Sequence, residues 1–256
     1  MRTTVILNLK GGVAKTATTV NVAAILAKDY NKRVLVIDAD SQCNTTDFFG
    51  GNSEKGNLAD VLRRGNHNDA AWGIQSTRYR GVDLLAGDES LMDLDLTKVE
   101  LQDVRVTVLR DMIQSLAAMN LYDWVLVDCP PAFNAASAAA LLAGDDVVIP
   151  IKLDAFSLRG MANLMRQIAN MRQINPALTL SGLLPTMWYR SENIEDAENQ
   201  LRASGLPVYP HIRKTNKVDD MTFLQEPLVV SSPRSAACVD YRKFVKALVE
   251  GGASNG

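Results

Sequence analysis

The sequence is poor in the residues that build metal centres and disulfide frameworks. Its 256 residues include three cysteines and two histidines. The cysteines (Cys43, Cys129 and Cys238) are widely spaced and form no CxxC pair, and the histidines (His67 and His211) stand apart from them. These spacings predict neither a cysteine–histidine metal site nor a disulfide-stapled secreted fold. They favour reduced thiols in a cytoplasm.

An excess of charge of one sign and long apolar runs are also missing. The 27 lysines and arginines are offset by 29 acidic residues, which leaves a net charge of −2. Nucleic acid is therefore not bound by bulk attraction, and any such binding must be local. No apolar run approaches the ~20 residues that a bilayer-spanning helix needs. The first four residues show no signal-peptide pattern, so we expect a cytoplasmic protein.

The composition that remains is typical of one large globular domain, since 47% of residues are hydrophobic and 22% are charged. Buried strands are predicted at Val5–Leu9, Val34–Ile37, Val82–Leu85, Trp124–Val127, Val147–Ile151 and Leu180–Leu184. Helices are predicted at Thr16–Lys28, Asn57–Arg64, Asp103–Asn120, Ala135–Ala143, Leu158–Ile174, Ile194–Ser204 and Ser235–Glu250. This alternation predicts an α/β fold with a single doubly wound, mostly parallel sheet and helices on both faces. We expect the domain to cover residues 1–250 and a flexible tail to follow at 251–256.

The segment 10–16 reads K-G-G-V-A-K-T and directly follows an apolar strand. It is interpreted as a phosphate-binding loop of deviant Walker A type, because the helical run after it offers free N–H groups to an anion. Lys15 is placed to reach the β- and γ-phosphates, and the Thr16 hydroxyl to bind Mg²⁺. The predicted nucleotide contacts are Lys10, Gly11, Gly12, Val13, Ala14, Lys15, Thr16 and Ala17. A glycine turn with two solvated lysines is the alternative.

Lys10 has no function in an ordinary phosphate-binding loop, which uses one lysine. The strict pattern also fails at Leu9 and Ala14, where glycines are expected. A second lysine at the start of the loop suggests a nucleotide site that needs another positive charge. Lys10 would contribute this charge to a neighbouring molecule. We therefore treat Lys10 as a candidate catalytic residue.

Two further strands end in acids, and in a doubly wound sheet the carboxyl ends of the strands form the ligand site. Asp38 and Asp40 follow one strand, and Asp40, further out, is better placed to reach a water that attacks the γ-phosphate. Asp128 follows four apolar residues, which is the Walker B pattern that holds Mg²⁺. The predicted catalytic residues are Lys10, Lys15 and Asp40, and the predicted metal-binding residues are Thr16, Asp40 and Asp128. Solvated turn acids are the alternative for Asp38 and Asp40.

Three motifs, K-G-G-V-A-K-T, I-D-A-D-S-Q and V-D-C-P-P-A, resemble the ParA/Soj branch of the ParA/MinD family of deviant-Walker ATPases. The resemblance extends to about Glu250. It implies a weak ATPase that uses ATP and Mg²⁺ and closes as a nucleotide-sandwich homodimer, with Lys10 crossing to the partner's phosphates and Asp40 linked to hydrolysis. It also implies non-specific DNA binding, a nucleoid location, and stimulation by a ParB-like centromere-binding protein during plasmid or chromosome partition. Ala14, Ala17 and Ser41 depart from the usual family residues.

A local basic set in the last third of the chain is the candidate DNA-binding surface. Its members are Arg213, Lys214, Lys217, Arg234, Arg242, Lys243 and Lys246. Such cations bind phosphates without reading base sequence. The alternative is a solvated face balanced by Asp219, Asp220, Glu226 and Asp240. Because the phosphate loop begins at residue 10, no helix-turn-helix precedes it, and sequence-specific operator binding is not expected.

Two other functional classes use a similar nucleotide site. A MinD-like membrane-associated ATPase needs an amphipathic C-terminal helix, and Tyr241, Phe244, Val245 and Leu248 have helical spacing near basic residues. We predict that this helix packs on the core instead, and we expect no stable membrane association. Metabolic ligases and metal-cluster carriers are the second class. Cluster carriers need paired cysteines, which this sequence does not offer.

Overall fold

The computed structural model describes residues 1–64, 71–94, 105–251 and 253. The strands are β1 (Arg2–Ile6), β2 (Val34–Asp38), β3 (Ile74–Ser76), β4 (Val82–Leu85), β5 (Trp124–Asp128), β6 (Asp146–Lys152) and β7 (Thr179–Thr186). The helices are α1 (Lys15–Tyr30), α2 (Asn44–Phe49), α3 (Leu58–Arg64), α4 (Val108–Ala118), α5 (Ala135–Ala143), α6 (Ala155–Arg172), α7 (Glu192–Ala203), α8 (Asn216–Leu224), α9 (Leu228–Ser231) and α10 (Ala236–Val249). The strands form one sheet in the order β3-β4-β2-β5-β1-β6-β7.

The sheet is covered on both faces, as its continuous apolar strands predict. Within β1, Val5 packs in the core cluster under α3–α7, whereas Ile6 packs in the cluster under α1, α2 and α8–α10. In β2, Leu35 packs in the first of these clusters and Val36 in the second. All pairings are parallel except that of β3 with β4. The predicted doubly wound fold is therefore confirmed.

The functional edge of the sheet lies where the strand order reverses direction. β1 pairs with both β5 and β6, so the chain winds outward from β1 on both sides. The register places Asp128 opposite Ile6 on one side and opposite Asp38 on the other. The loops that follow β1, β2 and β5 consequently meet at one place, the usual ligand site of an open α/β sheet.

The first predicted strand is wrong in its bounds. β1 covers Arg2–Ile6 rather than Val5–Leu9, because the β-branched, buried Thr3 and Thr4 pair with β5 and residues 7–9 leave the sheet for the phosphate loop. Four short elements were not predicted: β3, α2, α8 and α9. They contain three to nine residues each, fewer than the window of about 11–18 residues in which hydrophobic periodicity is judged. Parts of two predictions, residues 103–104 and most of the 251–256 tail, lie outside the described residues.

Helix α10 packs on the core, as predicted. Tyr241, Phe244, Val245 and Leu248 are buried in the cluster that also contains α1. Its apolar stripe is therefore already covered by protein. Across the part of the chain that the structure describes, no helix has both the length and the apolarity to cross a membrane.

Candidate functional site

The loop after β1 has the backbone form of an anion site. Gly12 (φ 68°) and Ala14 (φ 65°) are both left-handed, and α1 begins at the next residue, Lys15. Within the described chain, no side chain caps the first turn of α1. A left-handed residue before an uncapped helix gathers backbone N–H groups toward an anion. Ala14 stands where glycine would be unstrained, at a cost of roughly 1–2 kcal/mol.

Lys15 lies inside this loop, with only 7% of its surface exposed. Its Nζ donates to the Lys10 carbonyl at 3.3 Å. Burial lowers the pKa of Lys15, and the carboxylates of Asp128 and Asp40 oppose that effect. A desolvated ammonium beside uncapped N–H groups has the position that binds transferable phosphates. The structure places Lys15 inside the loop, and its contact with the phosphates stays a prediction.

Asp128 lies at the end of β5 and is almost fully buried. Its Oδ2 accepts hydrogen bonds from the hydroxyls of Thr16 (2.7 Å) and Thr45 (2.6 Å). Its Oδ1 has no hydrogen-bond partner among the described residues. Burial raises the pKa of this carboxyl. A buried carboxylate oxygen without a donor, next to a hydroxyl, fits a hydrated Mg²⁺ ion, which prefers oxygen ligands.

Asp38, a strand-end acid to which sequence reasoning assigned no separate role, is a structural partner of the site. Its Oδ2 accepts from the N–H and the hydroxyl of Thr46, both at 2.8 Å, and its Oδ1 accepts from the Asp40 N–H at 3.1 Å. Burial and the nearby charge of Asp128 raise the pKa of Asp38. Asp38 thus fixes both the start of α2 and the loop that carries Asp40. No motif marks Thr45 or Thr46, so sequence reasoning had no signal for them.

Asp40 lies on the loop beyond β2 and is half-buried. Its Oδ1 accepts from the Gln42 N–H at 3.0 Å, and its carbonyl accepts from the Cys43 N–H at 3.0 Å. These bonds form a tight turn that keeps the carboxylate near Lys15. The placement is compatible with a water-orienting role and with metal binding, and both stay predictions.

Lys10 is held outside the cradle that surrounds Lys15. Its Nζ contacts both carboxylate oxygens of Asp154, at 2.8 and 2.7 Å, just before α6. The Lys10 N–H donates to Asn8, whose amide donates in turn to the Pro150 carbonyl. The ammonium groups of the two loop lysines therefore have different partners: Lys15 contacts a backbone carbonyl, and Lys10 contacts a carboxylate.

The predicted DNA-binding set is partly neutralised by acids of the same chain. Four of its cations form ion pairs: Arg213 with the buried Asp240, Arg242 with Asp29, Lys217 with Asp220, and Lys246 with Glu250. Lys214, Arg234 and Lys243 are exposed. A paired cation attracts phosphate less than a solvated one. DNA contact by this set stays a prediction, and reversal of the Arg213 charge would disturb a buried carboxylate.

The Thr45 hydroxyl gives a stability prediction. Thr45→Val should lower the free energy of unfolding of the nucleotide-free protein by about 1.5–3 kcal/mol, because a buried carboxylate loses a donor. Thr19→Val is a matched control, since Thr19 is equally buried but donates to the neutral Lys15 carbonyl. Its cost should be about 0.5–1.5 kcal/mol. Urea denaturation measures both, and equal losses would contradict the proposed support of Asp128 by Thr45.

Comparison with known proteins agrees with this geometry. A family described as an AAA domain matches residues 1–180. The chain is 32% identical to the chromosome partitioning protein ParA of Caulobacter vibrioides, covering 97% of this chain and 94% of that protein. It is 29% identical to the sporulation initiation inhibitor protein Soj of Bacillus subtilis, over 96% and 98% of the two chains. A cobyrinic acid a,c-diamide synthase from Mycobacterium smegmatis, solved with an ATP analogue and magnesium, has a TM-score of 0.82 at 28% identity, with 98% and 94% covered.

Proposed function

The chain belongs to the ParA/Soj family of P-loop ATPases, and we propose from this premise that it partitions DNA through an ATP-driven cycle of dimerisation. It is an ATPase that uses ATP and Mg²⁺. The finer features, namely the dimer, the DNA and the stimulating partner, form our proposal. The observation that carries it is the different engagement of the two loop lysines: Lys15 is buried in the cradle, and the Lys10 ammonium is paired with Asp154.

Within one subunit, the described residues divide the work of phosphoryl transfer. Lys15 and the N–H groups of residues 11–16 bind the phosphates, and the Thr16 hydroxyl and Asp128 would hold a Mg²⁺ ion, which would supply charge neutralisation to the phosphates. Asp40, fixed on its turn by Asp38, orients the attacking water. This set requires little covalent chemistry, because positioning and electrostatic stabilisation provide most of the rate in phosphoryl transfer.

Lys10 supplies the second cation, and we place its action in the partner's site. Its own cradle already contains Lys15, and its ammonium is paired with Asp154 instead. That ion pair is about one-third exposed on each side, so it contributes only ~0–1 kcal/mol. A partner's γ-phosphate, which carries more charge, can replace Asp154 at this small cost. Closure of two subunits on two ATP molecules then completes both sites.

The ATP-bound dimer in this proposal binds DNA without base specificity and is associated with the nucleoid. A ParB-like centromere-binding protein stimulates hydrolysis, which returns the protein to monomers. The packing of α10 on the core argues against a MinD-like cycle on a membrane, because no amphipathic face of that helix is left for lipid.

Co-sedimentation tests this proposal. The ATP-bound protein should sediment with duplex DNA and remain in the supernatant with anionic phospholipid vesicles, whereas the ADP-bound protein should do neither. Lys15→Ala should abolish nucleotide binding and with it the DNA pellet, since the buried ammonium is the main phosphate contact. Sedimentation with vesicles but not with DNA would contradict the proposal and favour a membrane-associated ATPase.

A further inference from the structure

A basic cavity of about 790 Å³ lies at the opposite edge of the sheet from the phosphate loop. It is formed where β2 and β4 begin, between the end of α1, the α1–β2 turn and the β3–β4 turn. Five cationic side chains line it: Lys28, Lys32, Arg33, Arg78 and Arg80. We call it the amino-edge cavity.

The fold itself brings the two basic turns together. Val34 donates its N–H to the Gly81 carbonyl at 2.8 Å, which joins the α1–β2 turn to the β3–β4 turn. Gly81 has a φ of 85°, and a Cβ there would lie 3.2 Å from the Lys32 carbonyl oxygen. This close approach sets residues 32–33 beside residues 78–80. Neither of these two short basic segments is long enough in the sequence to indicate a binding site by itself.

The positive charge of the cavity is mostly uncompensated. Asp123 is the one acid that lines it among the described residues, and it is paired with Arg33 at 2.9 Å. That hydrogen bond lowers the pKa of Asp123 to about 2, so the pair stays ionised. Lys28 and Arg78 donate to backbone carbonyls of Val229 and Gln225, which leaves their charges in place. Within the described residues, the side chains of Lys32 and Arg80 have no hydrogen bond or ion pair.

We propose that the amino-edge cavity binds the phosphodiester backbone of DNA, an inference that rests on the proposed function. Lysine and arginine are the side chains that neutralise DNA phosphates, and they do so without reading base sequence. The site lies away from the carboxyl edge, where nucleotide and partner subunit bind, so DNA does not compete with dimer closure. Four of its five cations have no ion pair among the described residues, whereas Arg213, Lys217 and Arg242 are each paired with an acid.

A membrane surface fits this cavity less well than DNA does. Binding to a bilayer requires an amphipathic helix or a large exposed apolar group beside the cations. The cations here stand largely on turns, and the apolar lining is recessed between them. Among the described residues that line the cavity, Val230 is the one large aliphatic residue that is exposed, at 43%.

Paired double variants test the assignment. Lys32→Ala with Arg80→Ala removes two unpaired cations from the cavity, and Lys214→Ala with Arg234→Ala removes two from the predicted C-terminal set. Fluorescence anisotropy would follow random-sequence duplex DNA binding to the full chain with a non-hydrolysable ATP analogue, at 50 to 200 mM salt. The cavity variant should bind about tenfold to a hundredfold more weakly. The negative slope of the log of the DNA association constant against log salt should become shallower by about two.

The outcomes separate this inference from the proposed function. Unchanged affinity and slope in the cavity variant, with DNA binding by the wild type intact, would overturn the inference and leave the function standing. A loss confined to the Lys214 and Arg234 variant would do the same. If the wild type binds no DNA, both proposals fail. Binding to anionic phospholipid vesicles that depends on Lys32 and Arg80, without DNA binding, would assign the cavity to a membrane instead. Fluorescent-nucleotide binding should be equal in all variants.

Discussion

Lys10→Ala should lower the rate of ATP hydrolysis by about 10²–10³-fold while ATP affinity changes little, because it removes one preorganised cation from the transition state. The expectation rests on the different partners of the two lysines: Lys15 lies inside the cradle, whereas the Lys10 ammonium is paired with Asp154. Single-turnover phosphate release measures the chemical step, and titration with a fluorescent nucleotide measures binding.

Two comparisons sharpen the Lys10 result. Asp154→Asn keeps the lysine and removes the carboxylate that holds it, so hydrolysis should be retained. Lys15→Ala, in contrast, should abolish nucleotide binding. If Lys10→Ala weakens ATP binding as severely as Lys15→Ala does, Lys10 belongs to its own cradle and the assignment in trans is wrong.

Asp40→Ala should leave ATP binding and ATP-dependent dimerisation intact while it lowers turnover about 10²–10⁴-fold, the usual contribution of a positioned proton-accepting group. Its charge acts on Lys15, but the buried acid proposed to hold the metal is Asp128. Size-exclusion chromatography with light scattering reports the dimer, and phosphate release reports turnover.

Asp47→Ala is the matched control for Asp40→Ala. Asp47 is an exposed acid on α2, and the structure uses its carbonyl rather than its carboxylate, as the acceptor for the Gln225 side chain. Its replacement should change neither dimerisation nor hydrolysis substantially. A monomeric Asp40→Ala protein in the presence of ATP would instead show that Asp40 is needed for closure, which contradicts a role confined to hydrolysis.

The nucleotide site could be anticipated from the sequence because local spacing determines it. Lys15 and Thr16 lie on one loop, and Asp128 ends an apolar strand, so the rule that strand ends meet in a doubly wound sheet brings them together. The hydrogen bond between Thr16 and Asp128 confirms this.

Contacts between distant segments could not be anticipated in the same way. Thr45 reaches Asp128 across 83 positions, and Lys10 reaches Asp154 across 144 positions. No residue pattern marks these partners, since each depends on how short helices and loops pack. The pairing of the basic residues could not be anticipated for the same reason. The sequence shows cations near residue 213, but only the fold shows that Asp240 pairs with Arg213.

The central claim is that each ATP site is completed by Lys10 of the other subunit, and mixing two inactive variants tests it directly. In a mixed dimer of Lys10→Ala and Asp40→Ala subunits, the Lys10→Ala subunit keeps its own Asp40 and receives Lys10 from its partner, so one site is complete. Random pairing should therefore restore about a quarter of wild-type hydrolysis. If Lys10 acts within its own subunit, both sites of the mixed dimer are defective, and a mixture no more active than its separate components would contradict the account.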